Sequence, residues 1–340
     1  MSLISSKRAA YAIVTMLAIV SCASAQVAVK EPSPVDKADP AAMARARAVE
    51  FLRREVPRWQ SENKCYSCHN NGDATRALLM AGAQGHDIGA ALDDTLGFLK
   101  QPKLWDQNKA PGGLDDKVLA RVQFASAVAV AERLGRAASI DVAAAADVLV
   151  TDQAADGSWT LDQSQSLGSP ATYGAILATA SARATLIAGG RQPDDFYVVQ
   201  ADRWLRSLTV ENVVEASSVL IGLDQASDVM AENLRREALS IVRTGQAPDG
   251  GWGPYVTAAP QVFDTALAVL ALSTFTTEPR LARSTYRPEE LKDAIDKGKA
   301  YLVSQQRPDG SWPETTRPAG QASYAQRIST SAWALLALLK

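Results

Sequence analysis

From Ala41 to the C-terminus, Ala, Leu and Val recur at three- and four-residue spacing, in stretches separated by Gly, Pro and Asp clusters. That is the period of amphipathic helices, and no alternating apolar–polar run is sustained, so the pattern predicts an all-α fold. Twelve helices are expected in two sets. The first set covers roughly 41–58, 87–101, 138–153, 192–208, 229–245 and 289–306, each with a charged face. The second covers roughly 72–84, 118–134, 170–188, 213–223, 261–275 and 328–340 and is far more apolar. A helix that is apolar nearly all round must be buried, whereas one with a charged stripe can face solvent, so the second set forms an inner ring and the first an outer one. Six such helical hairpins suit a closed (α/α)6 toroid, with an open superhelical array as the competing topology.

The hairpins carry a register mark. One apolar residue stands about a helical turn before each connecting loop: Leu52, Leu99, Leu149, Leu205, Val242 and Leu302, at intervals of 47, 50, 56, 37 and 60 residues. Three of these loops share a signature, Gln153-Ala-Ala-Asp156-Gly157-Ser-Trp159, Gln246-Ala-Pro-Asp249-Gly250-Gly-Trp252 and Gln306-Arg-Pro-Asp309-Gly310-Ser-Trp312. Aligning Leu52 with Leu149 and Leu302 puts Cys65-Tyr66-Ser67-Cys68-His69 where the later copies have that loop.

The Gln-x-x-Asp-Gly-x-Trp copies, with the run Thr330 to Leu338, resemble the repeats of squalene-hopene cyclases, oxidosqualene cyclases and their prenyltransferase relatives. The resemblance implies an (α/α)6 barrel over about 41–340, in which Gln packs on Trp to brace neighbouring outer helices. It does not by itself imply an activity. The cyclases that protonate an alkene carry Asp-x-Asp-Asp-Thr-Ala, the middle Asp donating the proton. Here the matching stretch is Gln261-Val262-Phe263-Asp264-Thr265-Ala266, which puts Phe263 at the donor's position and retains only Asp264. An active terpene cyclase is therefore the weakest of three readings. The zinc ligands of the prenyltransferases have no second Cys/His cluster to match them.

Composition and charge narrow the setting. A formal net charge of -2 and a pI near 5.8 create no field that would gather nucleic acid. The chain starts with Lys7-Arg8, an apolar run from Ala9 to Val20 and Ala23-Ser24-Ala25, the order of a secretory signal over residues 1–25. Residues 26–40, rich in Pro, Lys and Asp, read as a flexible linker. Ile19-Val20-Ser21-Cys22 also resembles a lipoprotein processing box, in which case membrane contact would come through lipid on Cys22. The expected location is exported or periplasmic.

Cleavage after residue 25 would leave Cys65 and Cys68 as the only cysteines, followed at once by His69. Cys-x-x-Cys-His is the attachment sequence for c-type haem, with two thiols for the two vinyl groups and an imidazole for the iron. The leading expectation is one covalent haem c, with Cys65 and Cys68 attaching and His69 as axial ligand. The function expected is electron transfer with a redox partner protein, or haem redox chemistry on a small apolar ligand in the cavity. A non-enzymatic scaffold with a Cys65–Cys68 disulfide is the alternative. Met80 is the candidate sixth ligand, against core packing in an Ala-Leu-Leu-Met run, and His86 lies farther on. Other polar candidates for the inner ring are Tyr173, Glu215, Asp264 and Tyr324, with Arg121 and Arg327 nearby and Asp115-Asp116 as a helix cap.

Overall fold

The computed structural model describes residues 39–108, 116–161, 174–276, 284–317 and 323–340. The leader, almost all of the linker, Cys22, Asp115 and Tyr173 lie outside them. Among the described residues the twelve α-helices alternate between outer and inner positions. The outer helices are α1 (Pro40–Asn63), α3 (Asp93–Leu99), α5 (Ser139–Val150), α7 (Phe196–Arg206), α9 (Val229–Thr244) and α11 (Pro288–Gln305). The inner helices are α2 (Thr75–Ala83), α4 (Lys117–Arg133), α6 (Ala175–Ala188), α8 (Val213–Gly222), α10 (Val262–Ser273) and α12 (Tyr324–Leu338). A π-helical segment, Cys68–Ala74, leads into α2, and a 3-10 turn, Pro102–Gln107, follows α3.

The hydrophobic patterning sorts the two sets as the sequence implies. Inner α12 is buried at every position from Ile328 to Leu338, and α10 from Val262 to Val269. Outer α9 buries one stripe, Ala231, Leu234, Arg235, Ala238, Leu239 and Val242. Consecutive inner helices pack on one another around the ring, and α12 packs back onto α2 and the π segment, while α1 packs on both α11 and α12. The toroid is closed.

Local chemistry sets the helix ends. Asp39 accepts from the Ala41 N–H at 3.0 Å with Pro40 at the first helical position, so the linker stops there. Helix α1 runs through Pro57 to Asn63, five residues beyond the expected end, and stops at Lys64, whose φ is 55°. The second outer helix is shorter than the expected 87–101, because Gly85 (φ 88°) and Gly89 (φ 51°) turn the chain before α3 starts. Asp116 caps α4, its side chain accepting from the Leu119 N–H at 2.8 Å.

The repeated loop is a three-way joint. All six register residues, Leu52 to Leu302, are fully buried. Each motif Trp donates its indole N–H to the carbonyl of its own register residue: Trp159 to Leu149 at 2.9 Å, Trp252 to Val242 and Trp312 to Leu302, both at 2.7 Å. Its backbone N–H goes to a hydroxyl on the inner helix, of Thr179, Thr265 and Ser331 respectively. Each motif Gln donates to a backbone carbonyl of the next outer helix, Gln153 to Tyr197, Gln246 to Ala294 and Gln306 to Ala44, all at 2.9 Å. The brace is thus a hydrogen bond to the neighbouring helix, and its third copy joins the last hairpin to the first. Glycine is required because Gly310 has φ 88° and a Cβ there would lie 2.3 Å from the Arg47 carbonyl oxygen.

Candidate functional site

The pentapeptide occupies the joint of the first hairpin. After α1 ends, Cys65 to Ser67 run without helical structure, and Cys68 and His69 open the π segment that continues into the first inner helix. Ser67 caps this segment through its side chain. Both cysteines are buried, with exposures of 4% and 9%, and both are free thiols. The His69 Nδ1 lies 3.2 Å from the Cys68 Sγ. Burial, reinforced by the nearby carboxylate of Asp73, pushes the Cys68 thiol up to about 12.

The bracing role of the missing Gln and Trp passes to residues that sequence reasoning overlooked. The Tyr66 ring stacks on Phe98 of α3 with centroids 3.9 Å apart, and its hydroxyl donates to Asp94 at 2.8 Å. Asn71 accepts from the Ser67 N–H at 2.7 Å and donates to Thr95 of α3 at 2.9 Å. Asn70 donates to the Val56 carbonyl of α1 at 3.1 Å. One residue type could have hinted at this, since Asn70-Asn71 immediately follows the histidine and short amides serve backbone groups close by.

Behind the pentapeptide lies a buried polar centre. Asp73, fully buried, accepts from Gln123 of α4 at 3.1 Å and from Ser329 of α12, with Arg76 at 3.4 Å. Arg76 in turn lies over the Trp333 ring at 5.0 Å. Three inner helices therefore converge on one carboxylate directly beyond the pentapeptide.

The remaining sequence candidates are separated by the fold. Met80 is eleven residues beyond His69 on a continuous helical stretch, which puts the two roughly 15 Å apart along the axis. Axial ligands of one iron stand only a few ångströms apart, so the structure does not bring this pair together, and the Met80 thioether accepts from Arg133 at 3.4 Å. His86 lies past the far end of α2 and lines a cavity of about 480 Å³ with Leu79, Leu134 and Arg136. Glu215 and Asn212 cap the start of α8. Arg121 is paired with Asp106 and Asp152, and Arg327 with Glu314 at 2.7 Å. Tyr324 donates to the buried Glu55 and stacks on Trp59.

At the remnant of the acid motif, Phe263 is fully buried against Trp333. Asp264, 1% exposed, is ion-paired with Arg317. Burial raises its carboxyl to about 6 even though Arg317 pulls it down. A carboxylate clamped by a guanidinium is a poor proton donor to an apolar substrate.

The residues of the pentapeptide fit a haem by donor chemistry: two unbonded thiols three residues apart and an imidazole next to the second. Buried polar atoms without a hydrogen-bond partner among the described residues also occur on both sides of it, the Trp59 indole nitrogen and the Asn70 Oδ1. The Trp59 indole N–H is a donor of the kind that the carboxylate of a propionate-bearing ligand would accept from. Among the described residues no three His, Cys, Asp or Glu side chains form a group that could hold a metal ion.

Comparison with known proteins bears on the scaffold. Residues 198–322 match the squalene-hopene cyclase C-terminal domain family. No curated protein matches the chain at a significant level. Among solved structures, the apo form of the type II terpene cyclase MstE from Scytonema shares 16% identity at a TM-score of 0.56, covering 88% of this chain and 98% of that one. A variant of that cyclase in complex with its substrate, geranylgeranyl dihydroxybenzoate, gives 14% identity and a TM-score of 0.59, over 88% and 97%. A protein from Actinoplanes gives 17% and 0.55, over 88% and 98%. The fold is an all-α toroid of the terpene-cyclase type. At these identities the likeness is one of architecture, and chemistry has to be argued from the site.

Proposed function

We propose that the chain is an exported c-type haem protein built on a terpene-cyclase-like toroid. One haem would be attached through Cys65 and Cys68, with His69 as axial ligand. The observation that carries this reading is the placement of two buried free thiols and the adjacent imidazole at the mouth of the first inner helix, where three other hairpins have a bracing loop.

Cys65 and Cys68 would each add across one vinyl group, forming one C–S bond and giving the thiol proton to the other vinyl carbon, so that no oxidant would be consumed. A bound haem supplies a one-electron couple or a site for a small ligand. The chain's own part is to hold the two sulfurs through Tyr66 and Ser67 and to exclude water by burying Cys65 and Cys68. The Phe263 substitution and the Asp264–Arg317 pair favour this reading over alkene protonation.

The test is to purify the protein from cells that export it and attach haem. The reading requires a polypeptide mass increased by one haem and a Soret band that survives acid–acetone extraction. An unmodified mass with no visible absorption overturns it, and cyclic products from squalene would reinstate a cyclase.

A further inference from the structure

The two residues between the cysteines are gripped from outside their own loop. Asn108, which follows the 3-10 turn, meets the backbone of Tyr66 on both sides: its Oδ1 accepts from the Tyr66 N–H at 2.9 Å and its Nδ2 donates to the Tyr66 carbonyl at 2.5 Å. The next amide, of Ser67, is held by Asn71. Both backbone N–H groups inside the Cys-x-x-Cys gap thus end on asparagine side chains. Asn108 is itself well supported, because its turn is anchored by Trp105, 1% exposed, which packs on Phe124 with centroids 5.6 Å apart. Phe124 meets Phe98 edge-on at 5.5 Å, and Phe98 stacks on the Tyr66 ring. The circuit closes on itself: Tyr66 ring, Phe98, Phe124, Trp105, the 3-10 turn, Asn108, Tyr66 backbone.

The three motif joints are tied to their neighbouring helices mainly through Gln and Trp side chains, whereas here the grip falls on both backbone amides between the cysteines. Fixing a two-residue gap at both amides fixes the separation and direction of the residues on either side of it. We infer that Asn108 and Asn71 are positioning residues for the thiol pair: they lock the Cys65–Cys68 gap from the turn after α3 and from the π segment that follows the gap, so that both sulfurs and His69 are presented in one set geometry. This inference rests on the haem reading for its purpose but not for its physical content, which concerns the thiols themselves.

The experiment therefore has two arms. In haem-free protein, thiol alkylation of Cys65 and Cys68 is followed by mass spectrometry in the parent, Asn108→Ala, Asn108→Asp and the control Gln107→Ala, whose side chain reaches only the Lys103 carbonyl. Losing two hydrogen bonds makes opening of the gap about tenfold more frequent, and alkylation about tenfold faster, in Asn108→Ala. Asn108→Asp keeps the acceptor for the Tyr66 N–H and falls between, and Gln107→Ala matches the parent. In exported protein, Asn108→Ala yields a fraction carrying one thioether and one alkylatable thiol, where the parent carries two thioethers. Equal alkylation rates in parent, Asn108→Ala and Asn108→Asp overturn the inference, whether or not haem is present. An export arm in which even the parent holds no haem defeats the proposed function alone, and the alkylation rates still decide the clamp. Should Asn108→Ala fail to fold, the rate of Asn108→Asp against that of Gln107→Ala decides it: a faster Asn108→Asp supports the clamp and equal rates overturn it.

Discussion

Replacing Gln306 with alanine tests how the ring is shut. The Gln306 amide donates to Ala44 of α1 at 2.9 Å and to Gly310 at 3.1 Å, and its oxygen accepts from two Arg47 nitrogens at 3.0 and 2.6 Å. The side chain is half-buried, so the net value of each bond is at the low end of the usual range. Four of them give a loss of about 2–3 kcal/mol, or about 5 °C in Tm for a domain of this size. The equivalent Gln246 makes two such bonds, to Ala294 and Gly250, so Gln246→Ala is expected to cost about half as much. The control is Gln305→Ala, whose amide meets only the neighbouring Ser304 hydroxyl and which should stay within about 0.5 kcal/mol of the parent. Urea unfolding followed by circular dichroism ranks the three variants. If Gln306→Ala loses no more than Gln305→Ala, the motif glutamine is not what joins the last hairpin to the first.

Four further outcomes follow from single sites. Trp252→Phe removes a fully buried indole N–H and strands the Val242 carbonyl, so denaturant unfolding should show a loss of about 1–3 kcal/mol. Gly72→Ala puts a Cβ 2.8 Å from the Gln123 Cβ, and this overpacking between the π segment and α4 should cost about 1–3 kcal/mol in the same assay. Asp264 has its folded pKa raised to about 6, so its contribution to stability is present below pH 4 and is lost as pH rises through 6. That loss is about 3 kcal/mol and should be missing from the stability–pH curve of Asp264→Asn; a curve parallel to the parent's would refute the assignment. In the haem-bearing protein, His69→Ala should keep the covalent mass while its visible spectrum changes, whereas an unchanged spectrum would remove His69 from the iron.

Much of this molecule was written in its local sequence. The three-to-four-residue period gives helices, the asymmetry between charged and apolar helices gives two rings, and the Trp and Gly of each motif copy mark the joints. These are short-range properties, since a helix burying Ile328 to Leu338 must be largely apolar, with only small hydroxyls at Ser329, Thr330 and Ser331, and Gly310 must tolerate φ 88° wherever it sits. The Cys-x-x-Cys-His pattern is equally local, because two thiols and an imidazole must be close in the chain to serve one group. Helix ends were less legible: α1 runs five residues past the expected end at 58, the missing N–H of Pro57 being tolerated within a helix that packs along α2 and α12.

What the tertiary structure alone decided is which distant residues meet. Periodicity says that Asp73 is buried but not that Ser329, 256 positions away, accompanies it. It shows Asp264 as a remnant of an acid motif, while the fold pairs it with Arg317 and so takes it out of use. It offers Met80 as an iron ligand by type, and a continuous helix carries that side chain out of reach of His69. Closure itself belongs here, since the bond from Gln306 to Ala44 spans 262 residues and exists only once all six hairpins have packed around the ring. A side chain's neighbours within a turn are set by backbone geometry, whereas partners across the ring are set by the summed packing of every helix between them. For that reason Cys65, Cys68 and His69 stand out in the sequence, and only the folded ring showed that Asn108 meets the Tyr66 backbone between the cysteines and that the Tyr66 ring stacks on Phe98.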